Sequence, residues 1–182
     1  VQFFGSPVAG QPGIMSRCNP RTHPMPAIEM NPIGTVVCAV PDDEIGRRRR
    51  TPESTIVIED RYRDALLGLD QYSHLIILFW MHRVAEPSPM QLHPRGDGNL
   101  PLTGVLASRG RGHPNPLGLA VVELVRVDGT RLTVRRLDAY DGTPVVDIKP
   151  YDHYDAYTEI RVPDGLRARQ SSRTKPEHGN GA

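Results

Sequence analysis

Four short segments carry the residue types that can do chemistry, and three of them fall within residues 93–151. The first runs from Ser108 through Arg109, Gly110, Arg111, Gly112, His113, Pro114, Asn115, Pro116 and Leu117 to Gly118. Its glycines let backbone approach a ligand closely and its prolines fix the course of the loop. Arg109 and Arg111 can each clamp a carboxylate or a phosphate bidentately. The same residues also suit a plain surface connection with solvated arginines. The second segment, Asp138, Ala139, Tyr140, Asp141, Gly142, Thr143 and Pro144, reads as a tight turn whose carboxylate can accept from hydroxyl or amine donors. Just beyond it Asp147, Lys149 and Tyr151 share strand parity, so they project to one side, either toward a substrate or into an internal salt bridge. The third is His93, Pro94, Arg95, Gly96, Asp97, and the fourth is His82-Arg83 at the end of an apolar run. A histidine there also serves as a packed or capping residue. No histidine pair has helical ligand spacing or a supporting thiol or acidic cluster, so no metal site is expected.

These segments must be held by the elements between them. Residues 33–40, 55–59, 75–81, 102–108, 119–127, 131–137 and 145–148 are short, β-rich apolar runs bounded by turn residues. Residues 75–81 are apolar on both faces, which predicts a central strand. Asp128-Gly129 between two alternating runs predicts a hairpin. Residues 61–67, stopped by Gly68, are the one short helix expected. About seven strands and one helical turn or two predict a mainly β, single-domain β-barrel. A doubly wound nucleotide fold needs alternating helices that the pattern lacks.

Residues 1–27 are rich in Pro, Gly, Ser and Arg without apolar periodicity and read as a disordered leader; Met15 or Met25 is an alternative start. Residues 28–163 form the body, and 164–182 a flexible polar tail. The net charge of +1 excludes a generally basic polymer binder, so contact with nucleic acid needs a local patch such as Arg47, Arg48, Arg49 and Arg50. Those four arginines equally suit a solvated basic loop. Cys18 and Cys38 lie in unlike contexts, as two free thiols of a reducing compartment would. No apolar run reaches the length of a membrane span, and no secretory leader pattern is visible. The chain reads as soluble and cytoplasmic.

Taken together, Pro32-Ile33-Gly34, the run from Ala65 to His74, ASRGRGHPNPLGL and LDAYDGTPVVDIKPY resemble the TsaA-like family, whose best understood members are TrmO-type tRNA methyltransferases. The likeness covers residues 32–155. It implies an unusual β-barrel that binds S-adenosylmethionine, pairs as a homodimer, and N6-methylates threonylcarbamoyladenosine beside the anticodon of a tRNA. By motif, the implied cofactor contacts fall on His82, Arg83, Arg109, Leu119, Asp141, Gly142, Thr143 and Pro144. Arg109 suits the carboxylate of that cofactor, Asp141 its hydroxyls or amine, and backbone near Leu119 its adenine edge. Arg95, Arg111, Asn115 and Lys149 are then expected to contact the substrate.

The sequence departs from the family pattern twice. Gly46 to Arg50 stand where members often have Pro-Arg-Gln, and His113 stands where an arginine is usual. His113 exchanges a permanently charged guanidinium for an imidazole. Methyl transfer is an in-line displacement whose gain is mostly positioning, and an exocyclic amine needs a proton acceptor nearby. Tyr151, Asp147 and His113 are the expected acceptor-side groups. An unpaired loop base lowers the cost of presentation. Two other readings use the same cofactor site: a methyltransferase for a small metabolite, and a non-catalytic S-adenosylmethionine-binding module.

Overall fold

Inward-facing Val, Ile and Leu alternate with outward residues along six strands, and the strands close on themselves. The computed structural model describes residues 28–41, 44, 53–84 and 89–164. The barrel strands are β1 (Gly34–Val37), β2 (Glu53–Ile58), β3 (His74–Trp80), β6 (Leu117–Asp128), β7 (Arg131–Arg135) and β8 (Pro144–Pro150). They run in the order β1-β2-β7-β6-β3-β8, with β8 returning to β1, and each neighbouring pair is antiparallel. Closure removes the open edges that would otherwise invite aggregation.

The interior is solid. Val36, Ile56, Ile58, Leu75, Ile77, Phe79, Val122, Leu132, Val134, Leu137, Ala139 and Val145 form one buried cluster. A barrel this small fills its lumen with side chains, so any ligand must sit outside it or at its rim. Asp128 and Arg131 pair across Gly129 and Thr130, and Gly129 takes φ +58°, as the Asp-Gly signal requires. A second glycine matters for a different reason: a Cβ on Gly118 would overlap the ring of Phe79. Its bareness serves the core, not a ligand.

Four elements differ from expectation. Residues 102–108 do not form a barrel strand. Only Thr103–Gly104 (β5) is extended, pairing with Gln91–Leu92 (β4) in a small separate sheet, and Val105–Ala107 turn into a 3-10 helix. The apolar residues there cannot alternate into a core, since Leu102 and Leu106 are exposed while Val105 alone is buried. The expected short helix forms over Asp60–Leu66 as a 3-10 helix, and a second 3-10 segment, Leu69–Gln71, is additional. Glu59 supplies no side-chain cap, and Gly68 at φ +82° breaks the run before a second α-turn can form. Tyr62, Leu66 and Leu69 still pack against the barrel core. The first strand stops at Val37, because Cys38 bonds to Asp141 rather than to a sheet neighbour. The central strand β3 is buried on its inner face only, with His74, Ile76, Leu78 and Trp80 half-exposed on the outer one. The expected leader 1–27, the loop 47–50, Cys18 and the expected tail beyond 164 lie outside the described residues. Among those described, no helix is long and apolar enough to cross a membrane.

Candidate functional site at the barrel rim

One rim of the barrel collects the end of β1, the end of β3 and the beginnings of β6 and β8. The order follows from register: Trp80 pairs with Leu117, Phe79 with Val145, and Thr35 with Pro144. Met81 N–H extends the β3–β6 contact by donating to the Pro116 carbonyl at 2.8 Å. Hence His82 and Arg83, the loop 108–116, Leu119 and the turn 141–144 converge although they are far apart in sequence.

The Asp141 turn is anchored on three sides. Gly142 N–H donates to the Val36 carbonyl at 2.9 Å, Val36 N–H to the Thr143 carbonyl at 2.9 Å, and Thr143 N–H to the Tyr140 carbonyl at 3.2 Å. Cys38 N–H donates to Asp141 Oδ1 at 2.9 Å, so one carboxylate oxygen already has a backbone donor. Asp141 itself is exposed, as is Gly142, which adopts φ +75°. Thr143, by contrast, is 2% exposed, so its side chain serves the turn rather than the surface.

Across the rim, Arg109 Nη2 donates to the Leu119 carbonyl at 3.4 Å, a long bond that uses only one of the guanidinium donors. Leu119 is 50% exposed. The loop between them is folded by His113 Nε2, 3.1 Å from the Ser108 carbonyl, and by Ser108 Oγ, which donates to the Val105 carbonyl at 2.8 Å. Arg83 stacks on the Tyr140 ring, 4.6 Å from its centroid. Sequence reasoning does not single out Tyr140: it adjoins the turn motif, but stacking across 57 positions leaves no local signal. His82 is exposed, and its backbone N–H donates to the Trp80 carbonyl.

Other candidates lie elsewhere. Asp147 and Lys149 do share a face, and they pair with each other at 2.7 Å on the outside of β8. Tyr151 N–H donates to the His74 carbonyl at 3.0 Å, and its ring meets His74 edge-on. His74 and Trp80 are opposite ends of β3, roughly 20 Å apart at the usual strand rise. Tyr151 therefore sits at the far end of the sheet from the Asp141 turn. His93 Nδ1 contacts the Leu100 carbonyl at 2.7 Å, closing its own loop. Arg111 and Asn115 are exposed beside the rim, while only the backbone of Arg95 is described. A surface hollow of about 370 Å³, lined by Arg63, Leu66, Leu67 and Val127 among others, lies toward the opposite end of β6 and holds none of these groups. Among the described residues no cluster of three or more metal-ligating side chains occurs.

Two guanidinium groups, one exposed carboxylate on an anchored turn and apolar Leu119 suit a ligand with a carboxylate, hydroxyls and a flat heterocycle. Fold and rim thus define a small, filled antiparallel barrel that presents its ligand groups on end loops. Residues 39–156 match the TrmO N-terminal domain family, described as the tRNA-methyltransferase O N-terminal domain, and the chain belongs to that family. A probable S-adenosyl-L-methionine-binding protein of Methanothermobacter thermautotrophicus is 45% identical over 104 residues, covering 57% of this chain and 73% of that protein. The tRNA (adenine(37)-N6)-methyltransferase of Escherichia coli is 47% identical over 94 residues, 48% of this chain and 40% of its own length. The crystal structure of TrmO from Pseudomonas aeruginosa superposes with a TM-score of 0.60 at 32% identity, covering 74% of this chain and 61% of that one. The chain thus spans less than two thirds of the latter two.

Proposed function

We propose that this chain is an S-adenosylmethionine-dependent methyltransferase that N6-methylates threonylcarbamoyladenosine beside the anticodon of a tRNA. The observation that carries the reading is the rim: Arg83 stacks on Tyr140 beside the anchored Asp141 turn, and Arg109 meets the Leu119 carbonyl near the start of β6. The names of the methanogen and E. coli relatives support the cofactor and the reaction respectively. When bound, the cofactor supplies an electrophilic methyl on a sulfonium. Arg109 and Arg83 hold its carboxylate, the second Asp141 oxygen accepts from hydroxyl or amine donors, and backbone beside Leu119 meets the adenine edge. His82, Gly142, Thr143 and Pro144 shape and fix that half of the site.

On the acceptor side His113 is the candidate nearest the rim. It orients the exocyclic amine and takes its proton. Arg111 and Asn115 contact the RNA from the same side, and Arg95 is a further contact to it. Asp147, Lys149 and Tyr151 reach an acceptor only from a second copy, because Tyr151 lies a strand length away within one chain. A homodimer is supported by the outer face of β6, where Leu117, Leu119 and Val121 are exposed opposite Trp80, Leu78 and Ile76 of β3. On this reading the chain acts in the cytoplasm.

The deciding experiment incubates the protein with methyl-labelled cofactor and total tRNA lacking the mark, then identifies the labelled nucleoside. Label in N6-methylated threonylcarbamoyladenosine is expected. Label confined to small molecules would instead favour a metabolite methyltransferase. Tight cofactor binding with no transfer would favour a binding module, the reading nearest to the methanogen relative's name.

A further inference from the structure

The Arg83–Tyr140 stack joins two parts of the rim, the segment that follows β3 and the turn that carries Asp141. Arg83 is exposed. A ligand that uses its guanidinium must see that group ordered. Tyr140 is half-buried, and its carbonyl accepts from Thr143 N–H at 3.2 Å. Its backbone is thereby tied to the Asp141 turn. The ring face holds the Arg83 guanidinium 4.6 Å from its centroid, a distance at which the ring quadrupole attracts a cation.

We infer that Tyr140 is a positioning residue: it holds Arg83 in register with the Asp141 turn, so that the cation and the carboxylate face the ligand at a set spacing. The inference rests on the cofactor reading above. Tyr140 need not touch the cofactor. It lowers the ordering cost of the residue that does. The stack is made by the ring face, so the ring rather than the phenol oxygen is what matters.

The test has two arms. In the ligand-free protein, NMR of the Arg83 side chain should show ring-current shifts that vanish in Tyr140→Leu and persist in Tyr140→Phe. Calorimetric titration with S-adenosylmethionine should then give an unchanged Kd for Tyr140→Phe and a Kd raised about two- to fivefold for Tyr140→Leu. In an Arg83→Gln background, Tyr140→Leu should have no further effect on Kd, because it acts through Arg83. A merely structural role would instead lower the melting temperature and weaken binding equally in both backgrounds. Additive losses, or no ring-current shift in the unmodified protein, would overturn the inference while leaving the cofactor reading intact. An unmodified chain that binds no S-adenosylmethionine would sink the cofactor reading and this one with it.

Discussion

Gly118 and Asp141 show how differently two residues of one rim are constrained. Gly118 faces inward against Phe79, which is 6% exposed. Gly118→Ala must push that ring aside, and overpacking of this kind costs about 1–3 kcal/mol. Thermal unfolding should show the loss, and an unchanged melting temperature would mean the ring has room to move. Asp141 faces outward, with Oδ1 held by the Cys38 N–H. Asp141→Asn keeps an acceptor for that bond but removes the charge. It should leave the melting temperature in place while weakening S-adenosylmethionine binding about tenfold, since charge-assisted bonds are the stronger kind. Equal loss of stability and binding would show that the carboxylate serves only the turn.

At the scale of elements, the barrel is braced by a side chain as well as by its ladders. Arg135 on β7 stands between Glu53 on β2 and Glu123 on β6, donating to them at 2.8 and 3.2 Å. The hydrogen bond to Glu53, then the charge of Glu123, raise the Arg135 guanidinium above its ordinary value. A group whose folded value is raised contributes fully below its unfolded value and loses that contribution only as pH climbs past the folded one. The brace should therefore be constant from neutrality to about pH 10. The difference in melting temperature between the parent and Arg135→Met should not change over that window, but it should shrink with added salt, because the pairs are exposed. A difference that grows with pH would point to another titrating group. Much of this level was legible: the Asp128-Gly129 hairpin and the alternation of residues 131–135 are local signals. The short helix stopped by Gly68 was legible too, but its 3-10 form and the second segment at 69–71 were not, because they turned on a missing cap and on packing of Tyr62, Leu66 and Leu69.

For the whole molecule, the outer β3–β6 face and the four arginines at 47–50 make separate demands. If the face is the homodimer interface, Leu119→Asp puts a charge into it and should yield monomers in sedimentation, where the parent sediments as a dimer. A parent that is monomeric refutes the pairing. If Arg47, Arg48, Arg49 and Arg50 hold phosphates, replacing them with glutamine should weaken tRNA binding and flatten its dependence on salt, by about one unit of slope for each phosphate no longer neutralised. An unchanged slope would mean that those arginines do not contact the RNA.

The sequence by itself determined the mainly β barrel, its hairpin, and the motifs that mark the family, because period-two alternation, turn residues and long ordered motifs are properties of neighbouring positions. It also marked Arg109, Asp141 and Arg83 one by one. Only the tertiary structure decided which of them meet. Strand order brings the end of β3 beside the starts of β6 and β8 and so builds one rim from distant segments, with Tyr140 under Arg83. The same geometry sends Tyr151 to the far end of β3, although it lies only ten positions beyond Asp141. An extended strand between them carries the chain across the length of the barrel, and that separation is set by backbone rise, not by proximity in sequence.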